Sequence, residues 1–176
     1  MIQFSSRLGA KDLLMGKAWA AAVLAASLLS GCKSTEGPKN YDIAVARFVF
    51  ESGDANGYAS VAELPVSRVR IPLSSGAALS EFDIEGVQVA EVELGRCLVF
   101  AFSPAASRAL MRESSLNLGK RLVLLINGQP IGVRKVEQPI SDGRIFMFLE
   151  TKDGELEKIA NDIVGTSLNA RKRIKK

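Results

Sequence analysis

The chain has 176 residues, of which 47% are hydrophobic, 24% charged and 6% aromatic. That balance fits one ordinary globular domain and excludes the disordered, collagen-like and disulfide-dense classes. Histidine is absent, which removes Ser-His-Asp and Cys-His nucleophile systems and every imidazole metal site. Two cysteines are too few for a four-cysteine zinc site, and no cofactor is expected.

Arg7, Lys11 and Lys17 make the start positive, offset only by Asp12, and Ala18 to Leu29 is almost wholly apolar. A run of about a dozen residues is too short to span a bilayer, which takes about 20, but matches a signal-peptide core. It ends in Leu29-Ser30-Gly31-Cys32, which resembles the bacterial lipobox: a branched aliphatic, two small residues, then cysteine. The resemblance implies that a signal peptidase reads Leu29, Ser30 and Gly31 and that residues 1–31 are removed. Cys32 would then carry acyl chains that hold the protein to a membrane, facing the periplasm. Each buried methylene adds about 0.8 kcal/mol, so several chains anchor where one binds weakly. Lys33 stands where aspartate would retain such a protein in the inner membrane, which favours the outer membrane. Residues 1–14 are long and polar for a signal, and Met15-Gly16-Lys17 is the more typical start of translation.

Removing residues 1–31 takes away three basic side chains and one acidic one, so the net charge falls from +4 to +2. Five basic residues lie in 171–176, and without them the body stands at −3. It offers no basic face for nucleic acid. The basic tail reads most simply as a frayed, solvated end, with lipid phosphates or another anionic envelope surface as its alternative contact.

Cys32 to Asn40 is rich in Lys, Ser, Gly and Pro and reads as a flexible tether. Ile43 to Glu51 alternates as a strand, with Phe48 and Phe50 on one face and Val49 and Glu51 on the other. Asp54-Ala55-Asn56-Gly57 signals a turn. Val66 to Ile71, bounded by Pro65 and Pro72, suits an edge strand. Ser80 and Asp83 are spaced as a capping box for one helical turn. Val87 to Leu94 and Arg96 to Phe102 form a hairpin around Gly95.

Ser103-Pro104 predicts a helix N-cap followed by proline at the first helical position, with the helix running to about Leu118 and stopped by Gly119. Leu122 to Ile126 is a continuous apolar run, so a central strand buried on both faces. Asn127-Gly128 is a strong hairpin signal, and Ile131 to Val136 returns. Arg144 to Leu149 alternates Ile145, Met147 and Leu149 against Phe146 and Phe148. The last helix begins near Asp153, and Leu156, Ile159, Ala160, Ile163, Val164 and Leu168 make one apolar stripe. These elements predict an α+β fold, a two-layer sandwich with a mostly antiparallel sheet and two helices on one face. The expected organisation is signal peptide 1–31, tether 32–40, folded domain 41–170 and basic tail 171–176.

Four stretches together resemble the head of the first periplasmic domain of SecD, a bacterial protein-export subunit. Leu79-Ser80-Glu81-Phe82-Asp83-Ile84 is similar to an "L-T-x-x-D-I" motif. Phe100 to Arg108 is like the family's strand-to-helix step. Leu118 to Leu122, followed by Val123 to Ile131, resembles "G-K-x-L-A-x-x-x-D-G-x-V". Pro139 to Ile145 resembles "I-x-x-G-x-x-x-I". The similarity covers about residues 79–168. It implies a fold and a periplasmic role in contacting polypeptide. It does not carry over the family's membrane motor, whose six transmembrane helices and proton-coupled residues have no match in these stretches.

Cys97, mid-strand among Leu98, Val99 and Phe100, reads as a buried inert thiol. Glu91 and Glu93 would share one strand face, where acid–base work needs a desolvated carboxylate and solvated surface is the simpler reading. Glu81, Asp83 and Glu85 offer oxygen ligands for calcium but lack the Asp-x-Asp-x-Asp-Gly pattern. Ser103 and Lys120 make the only arrangement suggesting a Ser–Lys hydrolase; a helix cap and a cation at a helix C-terminus explain them better. Phe146 and Phe148 are expected in the core, or in a peptide groove if exposed. The sequence therefore favours a non-enzymatic, lipid-anchored module that binds extended polypeptide by edge-strand pairing. The alternatives are a structural accessory lipoprotein of an envelope complex and a hydrolase.

Overall fold

The computed structural model describes residues 40–53 and 60–174. The signal segment, Met15, Leu29, Ser30, Gly31, Cys32, Lys33, most of the tether, the Asp54–Gly57 turn and Lys175–Lys176 lie outside the described residues.

Among the described residues, eight strands and two α-helices follow in the order β1 (Ala46–Phe50), β2 (Ser60–Glu63), β3 (Arg70–Leu73), β4 (Ile84–Val92), β5 (Gly95–Phe102), α1 (Pro104–Leu116), β6 (Arg121–Ile126), β7 (Gln129–Lys135), β8 (Arg144–Met147) and α2 (Leu156–Ile174). All strand pairs are antiparallel, so the class is α+β as expected. The strands form three ladders, β1-β6-β7, β2-β3 and β4-β5-β8, and not one sheet. An isolated bridge between Gly132 and Leu149 links the two larger ladders.

Alternation decides what each face of β1 and β6 meets. Phe48 and Phe50 join Leu122 and Leu124 in the main core, while Val49 and Val123 point the other way. The main core also takes Leu98 and Phe100 from β5, Ile145 and Met147 from β8, Ala106 and Leu110 from α1, and Leu156, Ala160 and Ile163 from α2. Val49 and Val123 meet a second, smaller core made by Ala62 and Ile71 of the β2-β3 ladder. β6 therefore runs between β1 and β7 with both faces buried, as its unbroken apolar run predicts. Each fully buried Leu there contributes about 1.5–3 kcal/mol.

Ser103 accepts a hydrogen bond from the Ala106 amide at 3.2 Å, as an N-cap should. α1 ends at Leu116, two residues earlier than its sequence predicts, because Asn117 donates from Nδ2 to the Glu113 carbonyl and closes the last turn. Asn127 and Gly128 both have positive φ, 50° and 82°, the geometry that a two-residue turn needs to match strand twist. The Ser80–Asp83 box closes a turn: the Asp83 carboxylate accepts from the Ser80 amide at 2.8 Å. No helix follows it, because β4 starts at Ile84.

Residues before β1 are fastened to α2. The Asp42 amide donates to the Asp162 carboxylate (3.0 Å) and the Ala44 amide to Thr166 Oγ1 (2.9 Å). Two residues of extended chain rise about 6.6 Å and four residues of helix about 6 Å, so the segment runs parallel to α2 in step with it. Tyr41 lies so close against Gly165 that a Cβ there would overlap the ring. Lys158 bridges Asp42 and Asp162 at 2.6 and 2.8 Å. These two bonds hold its ammonium well above the ordinary lysine value, and Lys158 in turn lowers the Asp42 carboxyl.

Candidate functional site

The residues with chemical potential are dispersed. Ser103 Oγ is committed to the α1 cap, and Lys120 Nζ donates to Asn117 Oδ1 at 3.0 Å, so the structure gives no Ser–Lys pair. β4 ends at Val92, which leaves Glu91 on the strand and puts Glu93 in the following turn; the expected shared strand face does not form. Asp83 is occupied with Ser80, Glu85 is exposed and Glu81 turns inward. Among the described residues no group of three His, Cys, Asp or Glu is placed to hold a metal ion. Cys97 is fully buried, and burial pushes its thiol above the ordinary cysteine value.

Phe146 and Phe148 correct the expectation of a core position. Both are 37% exposed. The register supplies the reason. Ile145 and Met147 stand opposite Phe100 and Leu98, whose side chains point into the main core, so Phe146 falls on the other face with Val99 and Gln88. That face also takes Gly86, Ala90 and Ala101, small residues that leave the phenylalanine standing above its neighbours. At the margin of the same ladder, β4 pairs with β5 on one side only among the described strands. It is nine residues long and has a bulge between Ile84 and Gly86. α2 packs against β4, and Phe146 stands on β8 at the opposite margin of the ladder; a strand edge without a β partner is the arrangement that accepts an added strand.

A cavity of about 410 Å³ is lined by Tyr41, Ile43, Val45, Glu81, Phe82 and the end of α2 from Thr166 to Ile174. Sequence reasoning missed it, since its walls come from three distant stretches. Glu81 is only 8% exposed; its Oε2 has no hydrogen-bond partner and lies 3.8 Å from Arg47 Nε. The last turn of α2 carries Arg171, Lys172 and Arg173, so the helix continues through the first four residues of the expected tail. Cations suit this end of a helix dipole.

An antiparallel α+β domain without a catalytic cluster among its described residues is the class these features define. Its fold is SecD-like. The domain is similar to SecDF in its super-membrane-facing form (TM-score 0.57, 17% identity, over 71% of this chain and 19% of that one). It is equally similar to a structure of SecDF described as a membrane component that enhances protein export (TM-score 0.57, 15% identity, 72% of this chain and 64% of that one). The chain thus spans about a fifth of the first protein and less than two thirds of the second. No protein-family model matches this chain, and no curated protein sequence does. Among the described residues, no helix is long and apolar enough to cross a membrane.

Proposed function

We propose that this protein is a non-enzymatic accessory module of the bacterial cell envelope, held to a membrane through acyl chains on Cys32 and contacting extended polypeptide on its periplasmic side. The observation that carries the reading is the SecD-like fold. The free edge of β4 is the surface for the contact, because backbone pairing reads extended chain with little demand on its sequence. Phe146, on β8 and so across β5 from that edge, adds apolar area to a face of the same ladder.

The test is a photo-crosslinking amino acid at Gln88, an exposed β4 position, with Arg112, exposed on α1, as control. Crosslinks to envelope or exported polypeptides from Gln88 alone support the reading. Recovery of lipid only, or equal recovery from both positions, overturns it. Mass spectrometry of Cys32 tests the anchor separately: a diacylglyceryl thioether is expected, and an unmodified thiol with the leader attached would refute that part.

A further inference from the structure

We infer that the end of the domain formed by Ile43, Phe82 and the last turn of α2 is a face that docks on an anionic lipid surface. This deepens the reading of an anchored module and rests on it for the location of the membrane.

Ile43, Phe82 and Ile174 are 74%, 43% and 68% exposed, and all three line the 410 Å³ cavity. Single exposed apolar residues are ordinary on a surface, but several gathered around one apolar depression mark a contact site. The same turn of helix presents Arg171, Lys172 and Arg173, and Lys175 and Lys176 follow in sequence. The helix dipole accounts for cations there; it does not account for large apolar side chains left in water beside them. Apolar residues flanked by Lys and Arg are the chemistry of a segment lying in a bilayer interface. The apolar groups enter the headgroup boundary and the cations meet lipid phosphates. The one carboxylate lining the cavity, Glu81, is buried beside Arg47 and so places little negative charge on the face.

The tether has the necessary reach. Residues 33–39 separate Cys32 from Asn40, the first described residue, and the eight Cα steps between them extend to about 28 Å at most. α2, with 19 residues, is about 28 Å long. A chain held at Cys32 can therefore lay either end of α2 against the bilayer, and the charge selects the C-terminal end.

The test places a fluorophore on Ile174→Cys or on Leu94→Cys in the full chain and adds phosphatidylglycerol vesicles carrying a nitroxide-labelled lipid. Leu94 is 85% exposed in the turn beyond β4, about 30 Å along that strand from Phe82. Quenching at 174 and not at 94, lost on phosphatidylcholine vesicles, supports the proposal. Arg171→Gln, Lys172→Gln and Arg173→Gln should each lower the quenching partition about fivefold. An unquenched label at 174 overturns the proposal and leaves the face to a protein partner. Quenching at 174 in a chain whose Cys32 is unmodified would retain this face and refute the anchor, while an acylated chain with no quenching would do the reverse.

Discussion

Phe48 of β1 meets Phe100 of β5 edge to face, with ring centroids 5.0 Å apart and planes at 88°. Phe102 completes the group, 5.4 Å from Phe48 at 79°. Phe48 and Phe100 are fully buried, and they join two strand ladders whose backbones meet at the isolated Gly132–Leu149 bridge. Edge-to-face pairs contribute about 0.5–1.5 kcal/mol beyond the area they bury. Phe48→Ala is expected to cost about 3–5 kcal/mol, measured by denaturant unfolding. A loss below about 1.5 kcal/mol, the range of a volume-conserving swap, would mean the two ladders do not depend on this contact.

Gly165 gives a case in which two effects oppose. Alanine gains about 1 kcal/mol over glycine within a helix, but its Cβ would overlap the Tyr41 ring. Overpacking of this kind costs about 1–3 kcal/mol, so Gly165→Ala should destabilise the domain. In a Tyr41→Ala background the same change should become neutral or stabilising. A double-mutant cycle in thermal unfolding reads the difference, and additive effects would show that ring and helix are not in contact.

Glu51 and Arg121 form a two-point ion pair through both carboxylate oxygens, with the Arg121 amide donating to Oε2 at 3.1 Å. The Arg121 side chain holds the Glu51 carboxyl below the ordinary glutamate range. A carboxyl whose folded value lies below its unfolded one contributes stability above the unfolded value. It loses that contribution as pH falls from about 4.3 through the folded value. Stability curves of the native chain and Glu51→Gln should therefore differ at pH 7 and converge in acid. A gap that persists at pH 2 would assign the effect to something other than charge.

Ser103→Ala removes the α1 cap and should cost about 1 kcal/mol, while Lys120→Ala loses a half-buried hydrogen bond to Asn117. Neither should abolish crosslinking at Gln88 once the protein is shown to be folded by circular dichroism. Loss of function in both, with folding intact, would revive a hydrolase.

Local signals were legible in the sequence. The Asn127-Gly128 and Gly95 hairpins, the Ser103 cap, the apolar run of β6 and the first half of the α2 stripe each depend on neighbours within a few residues, and each is where its residues place it; beyond Ile163 the stripe turns, with Gly165 and Ser167 buried and Val164 and Leu168 half-buried. What failed depended on distant partners. β2 is four residues that become a strand only by pairing with β3. β3 starts at Arg70, not Val66, because the Glu150 carboxylate accepts from the Val66 and Ser67 amides and holds that stretch in a turn. Alternation in β8 separated Ile145 and Met147 from Phe146 and Phe148 but could not say which pair faced inward; β5 decides that. The cavity needs residues 41–45, 81–82 and 166–174 together, and no spacing in the chain announces such a meeting.

The stepwise fastening of residues 42–44 along α2 also has a mechanical meaning. A pull on Asn40 along the helix axis loads the bonds to Asp162, Thr166 and Lys158 in shear, so they must break together and not one after another. A leash attached this way resists tugging in a way that a peeled strand would not. Optical-trap pulling through the N-terminal side should give a higher rupture force than pulling through the turn at Leu94, and equal forces would deny the fastening any such role.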